Sequence, residues 1–196
     1  MKRITFLLLI SPVLMFAQEN TSTKLQTNNE SLFMNDIVTV DGFYTKNLGE
    51  FGKIWKESVG AEGGYGYRVS NHFIAVFRTG LRIYLLNDDI KYDDASMTLL
   101  PLHVGGKLLF NGKRMYPYFS FVNGLNLIFQ NTELDGTKRY NNMIKYHWQI
   151  GVGSIIMFNK KVGMDLSANY NNSFYKIEAM MTGFEYRLGI VYQLEK

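Results

Sequence analysis

His72-Phe73-Ile74-Ala75-Val76-Phe77-Arg78-Thr79-Gly80-Leu81-Arg82-Ile83-Tyr84-Leu85-Leu86-Asn87 decides the fold. Successive side chains of an extended chain point to opposite sides, so Phe73, Ala75, Phe77, Thr79, Leu81, Ile83 and Leu85 share one face. Arg78, Gly80, Arg82 and Tyr84 share the other. The first face suits hydrocarbon; the second needs water or counter-charges. Strands of globular sheets run about 5–6 residues, whereas a tilted strand crossing a bilayer needs about 9–11, and this run is long enough to cross.

The same two-residue period recurs along the chain. From Ile144 onward, Trp148, Ile150, Val152, Ile156 and Phe158 alternate with Lys145, His147, Gln149, Gly151 and Gly153. Near the end, Phe184, Tyr186, Leu188, Ile190, Tyr192 and Leu194 alternate with Gly183, Glu185, Arg187, Gly189 and Gln193. The pattern predicts strands near 59–69, 72–87, 97–110, 115–130, 143–158, 161–171 and 178–194, with a weaker one at 36–46. Tight connections at 69–71, 111–114 and 159–161 alternate with longer ones at 47–58, 88–96, 131–142 and 172–177. Transmembrane barrels have short turns at one end, longer loops at the other and both termini on the turn side. An even number of crossings is therefore required, and the weak first strand completes eight: an all-β, eight-stranded antiparallel transmembrane up-and-down β-barrel.

Lys2 and Arg3 precede the apolar run from Ile4 to Phe16, and Ala17 is a small residue suited to cleavage, so residues 1–17 are predicted to be a signal peptide. That run is too short for a spanning helix, which takes about 20 residues. Residues 18–35, rich in Asn, Thr, Ser, Gln and Glu, read as a flexible periplasmic leader, and 36–196 as the barrel. No later segment is apolar enough to be a membrane helix, so an embedded chain must close its strands into a barrel that pairs every backbone group. The absence of cysteine excludes disulfides and a lipid-anchored cysteine. The net charge of +4, half of it carried by Lys2 and Arg3, is too small to point to nucleic acid.

A soluble lipocalin-like barrel would share the alternation but turn its apolar face inward. Gly64, Gly66, Gly80, Gly105, Gly151, Gly153, Gly163, Gly183 and Gly189 lie on the charged face. On a solvated strand they would only weaken it, whereas in a narrow lumen they make room for Arg and Tyr, which puts the charged face inside. Tyr65, Tyr67, Tyr84, Tyr116, Phe119, Phe129, Tyr146, Phe158, Tyr170, Phe174 and Tyr192, many of them at strand ends, form candidate interfacial girdles.

The segment Gly60-Ala61-Glu62-Gly63-Gly64-Tyr65-Gly66-Tyr67-Arg68, together with Tyr116-Pro117-Tyr118 and Gly124, resembles the small outer-membrane β-barrel proteins of Gram-negative bacteria, the OmpA/OmpX-like superfamily. The resemblance implies a cell outer-membrane location and insertion by the barrel assembly machinery. The chain departs from the usual aromatic last residue, ending Tyr192-Gln193-Leu194-Glu195-Lys196. A lone barrel with no periplasmic domain cannot clamp peptidoglycan as larger relatives do. The expected partners are outer-membrane lipid and lipopolysaccharide, around a monomer.

Eight strands enclose a space that side chains fill. The expected lumen ion-pair network comprises the acids Glu62, Asp165 and Glu185 and the bases Arg68, Arg78, Arg82, Lys107 and Arg187. Buried charges must pair, so an ion-pair plug is expected rather than a pore. His72, His103 and His147 with Ser120, Ser154 and Ser167 are the ingredients of a hydrolase. However, His72 adjoins a tight turn, and the two lumen histidines have no serine at a diagnostic spacing, so polar satisfaction is the favoured reading. The loop at 87–94, with Asp88, Asp89, Asp93 and Asp94, lacks EF-hand spacing and reads as a solvated acidic loop. In the loop at 133–140, Lys138 and Arg139 could meet lipopolysaccharide phosphates. The expected function is structural or surface-interacting and non-catalytic, with no cofactor and no metal. The alternatives are a lipid-modifying barrel enzyme of the lipid A acylase or deacylase type, and a narrow channel or carrier for small hydrophobic molecules.

Overall fold

The computed structural model describes residues 35–87, 94–110, 112–134, 137–174 and 180–195. The predicted signal peptide, nearly all of the leader and most of the acidic loop lie outside the described residues. Eight antiparallel strands close in chain order: β1 (Ile37–Leu48), β2 (Trp55–Arg68), β3 (Phe73–Leu86), β4 (Asp94–Leu109), β5 (Met115–Leu134), β6 (Thr137–Met157), β7 (Val162–Phe174) and β8 (Met180–Gln193). β1 and β8 seal the barrel through a register running from Ile37↔Gln193 to Leu48↔Thr182, so no sheet edge is left along this seam.

The tight turns follow from local chemistry. At the β6–β7 turn, the Asn159 carboxamide oxygen accepts from the backbone N–H groups of Lys161 and Val162, at 2.8 Å each. The β2–β3 turn closes with the Val69 N–H donating to the Phe73 carbonyl at 3.0 Å. Both chain ends of the barrel meet at this turn end, where the Leu194 N–H donates to the Asp36 carbonyl.

The loop end departs from expectation in two places. The connection predicted at 47–58 contains a short helix, α1 (Gly49–Ile54), and β2 already begins at Trp55. Gly49 enters α1 with φ of +62°, a conformation that favours glycine. The Asn47 side chain ties the segment down by donating to the Trp55 carbonyl at 2.8 Å. Likewise, the loop predicted at 131–142 is mostly strand: β5 and β6 stay paired out to Leu134↔Thr137. β7 joins β6 only from His147↔Ser173. Residues 137–146 therefore rise beyond the point where β7 accompanies them.

The faces follow the alternation. Leu81, Ile83, Phe121, Ile150 and Leu188 are outward and 44–57 % exposed, a lipid-facing band. Inward, the chain buries two apolar packs as well as its charges. Ile37, Ile74, Val76, Leu109, Tyr116, Ile155, Met157 and Val191 fill the turn end. Phe51, Trp55, Tyr84, Met97, Leu99, Ile128 and Met181 fill the loop end, where Phe51 of α1 meets Tyr84 edge-on at 5.5 Å. Tyr84 and Tyr116 are thus interior residues and not girdle residues. Both belong to the inward alternation, and the apolar packs supply the surroundings their rings need.

Candidate functional site: the barrel interior

The charged residues occupy the layer between the two apolar packs. Glu185 on β8 is its centre and is fully buried. Its carboxylate accepts from Arg82 on β3, from Arg187 Nε at 2.5 Å, from Gln149 Nε2 at 2.8 Å and from Thr45 Oγ1 at 3.2 Å. Arg187 Nη2 also lies 2.8 Å from Glu62 Oε2, an ion-pair contact without hydrogen-bond alignment, and Arg82 Nη2 lies 3.9 Å from Glu62 Oε1. The Phe43 ring faces both guanidinium groups, with Arg82 Cζ 4.5 Å and Arg187 Cζ 5.0 Å from its centroid. Arg78 joins through Gln149, donating to its carboxamide oxygen at 3.0 Å.

Closer to the turn end, Lys107 pairs with Asp165, which also accepts from the Tyr118 hydroxyl at 2.6 Å. Asp41 on β1 accepts from Thr39 Oγ1 at 3.2 Å. Asp41, Arg78, Lys107, Asp165 and Arg187 line one small void of about 10 Å³, room for a single water. Glycines on neighbouring strands make this packing possible. A Cβ on Gly153 would sit 2.5 Å from the Tyr118 ring, and one on Gly189 would collide with the Asp41 carboxylate.

Seven of the eight expected residues thus meet in one layer: Glu62, Arg78, Arg82, Lys107, Asp165, Glu185 and Arg187. Arg68 does not join them. It lies at the turn-end rim, where its backbone N–H donates to Asp36 Oδ1 at 2.8 Å and its guanidinium to the Asn71 carbonyl at 3.2 Å. Asp41 was not among the eight and takes its place in the interior. The expected three acids against five bases become four acids, Asp41, Glu62, Asp165 and Glu185, and four bases, Arg78, Arg82, Lys107 and Arg187. The layer is electrically balanced.

The histidines meet as well. His103 and His147 stack with ring centroids 4.3 Å apart and planes 9° from parallel. His103 Nε2 bonds Asn126 Oδ1 at 2.9 Å, Asn126 Nδ2 donates to Ser173 Oγ at 3.0 Å, and Ser173 Oγ lies 2.7 Å from His147 Nδ1. No serine lies at a diagnostic sequence spacing from these histidines. Ser173 is instead brought to His147 by the β6–β7 register. Two observations separate this pair from a hydrolytic site: Ser173 is 3 % exposed beneath the loop-end aromatic pack, and the far nitrogen of His147 meets no carboxylate. Ser120 and Ser167 contact Asn169 and not a histidine, and His72 is exposed at the β2–β3 turn. Among the described residues no cluster of His, Asp and Glu is arranged to hold a metal ion.

No protein-family model matches the chain, and no curated protein matches it. Solved structures do resemble it in fold. The Neisserial surface protein A aligns with a TM-score of 0.59 at 16 % identity, over 81 % of this chain and 97 % of that one. The Yersinia pestis attachment invasion locus protein Ail aligns with a TM-score of 0.57 at 13 % identity, over 83 % of this chain and all of that one. The Pseudomonas aeruginosa outer membrane protein OprG aligns with a TM-score of 0.56 at 10 % identity, over 83 % and 97 %. The fold is that of the small eight-stranded outer-membrane barrels.

Proposed function

We propose that this chain is a non-catalytic outer-membrane barrel with a structural or surface-interaction role, presenting the β5–β6 hairpin outside the cell. The observation that carries the reading is the hairpin itself. Residues 137–146 extend past β7, with Tyr140 74 % and Ile144 65 % exposed, on a barrel whose interior is filled by side chains at every level. Exposed apolar side chains on a strand-paired hairpin suit contact with a partner. The outward apolar band, the three tight turns and the export signal read at residues 1–17 support the outer-membrane placement. One structure of similar fold is named an attachment invasion locus protein, which fits an adhesive use of the loop end.

The test is a variant in which residues 130–141 are replaced by a two-residue turn. It should still shift on a heat-modifiability gel, showing a closed barrel, while cells carrying it lose the surface adherence that the unaltered chain confers. A Tyr140→Cys variant should react with an impermeant maleimide on intact cells. Unchanged adherence of the trimmed variant, or labelling only after lysis, would overturn the reading.

A further inference from the structure

We propose that the open edge of β6 at the loop end binds an acidic extended segment of a partner protein by strand addition, an inference that rests on the hairpin reading above and gives the chemistry of its partner. β5 and β6 stay in unbroken register from Met115↔Ile156 to Leu134↔Thr137, while β7 accompanies β6 only as far as His147↔Ser173. Among the described residues nothing pairs with 137–146 on the side away from β5. The turn end shows which backbone groups face that side. The Met157 N–H donates toward β5, to the Arg114 carbonyl at 2.8 Å, and the Phe158 N–H donates toward β7, to the Val162 carbonyl at 2.9 Å. Alternation along the unbroken ladder then turns the N–H and C=O groups of Lys138, Tyr140, Asn142 and Ile144 to the open side. Such edge groups are a template for a further strand.

The side chains along this edge select the occupant. Residues 137–146 carry three cations, Lys138, Arg139 and Lys145, and no acid. Two copies of the chain meeting edge to edge would set cations against cations, which disfavours a self-paired dimer. Lys138 lies 3.6 Å from Glu133 across the hairpin, so its charge is already matched. Arg139 and Lys145 remain, and no carboxylate of a described residue forms an ion pair with either. By parity with His147, both belong to the face that continues the lumen wall, with Asn141 and Met143 between them. Cations on an edge keep like strands off it, so the residues that bar a second copy admit an acidic strand.

The two-residue period turns these positions into a recognition pattern. A strand added to the edge opposes Arg139 and Lys145 at positions six apart on its inner face, and Tyr140 and Ile144 at positions four apart on its outer face. Acids belong at the first two positions and apolar residues at the second two. The segment therefore runs as an acid, an apolar residue, any three residues, an apolar residue and an acid. This order is the same in both directions, so parallel and antiparallel addition both satisfy it. It also gives a partner to Tyr140 and Ile144, the exposed apolar side chains of the hairpin.

The experiment uses the chain refolded in detergent micelles, its closure shown by heat modifiability, and titrated into a fluorescently labelled peptide with the core Asp-Val-Thr-Thr-Thr-Val-Asp. Anisotropy reports binding. Lys-Val-Thr-Thr-Thr-Val-Lys should bind weaker by about tenfold or more, since two cross-strand ion pairs become two repulsions. Val-Asp-Thr-Thr-Thr-Asp-Val keeps the charge and composition but sets its acids four apart, and it should also bind more weakly than the first. Asn142→Pro removes an N–H that faces the open side and leaves the β5 ladder intact, so it should retain heat modifiability and lose peptide binding, while Asn142→Ala binds as the unaltered chain does. Equal binding of the three peptides, or unchanged binding by Asn142→Pro, would overturn strand addition. If the first peptide does not bind while trimming the hairpin still abolishes adherence, this inference falls and the hairpin reading stands.

Discussion

Removing the Glu185 carboxylate tests whether the interior is a balanced ionic layer or merely a set of tolerated charges. Glu185 accepts from four donors and is fully buried, and among the described residues the next carboxylate to Arg82 is that of Glu62, with Oε1 at 3.9 Å. Glu185→Leu leaves three acids against four bases, strands Arg82 and leaves Arg187 with Glu62 alone, in a space with no room for bulk water. Breaking one side of a buried pair costs about 3–5 kcal/mol, and the upper half of that range applies because two guanidinium groups lose a partner. Arg82→Met alone should cost less, since Glu185 keeps Arg187, Gln149 and Thr45. The double variant restores three acids to three bases and leaves the Arg187–Glu62 contact in place. Its cost should therefore fall below that of Glu185→Leu by about 2 kcal/mol or more, instead of reaching the sum of the two. Reversible urea unfolding in lipid vesicles, followed by tryptophan fluorescence and by gel mobility, measures all three. A cost under about 1 kcal/mol for Glu185→Leu, or simple additivity in the double variant, would refute the network.

Planar-bilayer recordings of the unmodified chain should show no steady conductance, because an apolar pack closes each end of the charged layer; large stable single-channel currents would contradict this. Ile150→Arg places a charge on the outward face and should cost about 2–4 kcal/mol if the residue lies near the midplane, measured by the same urea titration; a cost near zero would show the faces reversed. Gly153→Val forces a side chain into the Tyr118 ring and should displace its hydroxyl from Asp165, destabilising by roughly 1–3 kcal/mol, whereas Gly63→Val, at an outward glycine with open space around it, should be nearly silent.

Much of this architecture is legible in the alternation, and β1 shows how a face comes to be misread. β3, β6 and β8 carry apolar residues outward and charge or glycine inward, so their faces can be read directly. β1 reads poorly because Ile37 and Phe43 are inward, one in the turn-end pack and the other between two guanidinium groups. An apolar residue on the charged face blurs the period, and Asp41, two residues from Phe43, is missed along with it. The same ambiguity sent Tyr84 and Tyr116 to a girdle. α1 has six residues, too few for a helical period to emerge.

The period of two states which side of the wall a residue faces and nothing about its depth, because depth is set by how neighbouring strands are staggered when the barrel closes. Arg68 and Arg78 share a face by parity, yet β2 ends at Arg68 and leaves it on the rim, while the pairing Gly64↔Arg78 sets Arg78 of β3 opposite the interior of β2. Asp41 gains its depth from pairing with Glu62 on one side and Gly189 on the other. Ser173 reaches His147 from 26 residues away because it is the opposing residue in the β6–β7 ladder. Charge balance is a property of a layer, and a layer exists only after eight registers are fixed together. The exchange of Arg68 for Asp41, which turns an excess of bases into equality, is therefore what closure adds to alternation. It also explains why a substitution at Glu185 should be felt by residues on β2, β3 and β6 that lie far from it in the chain.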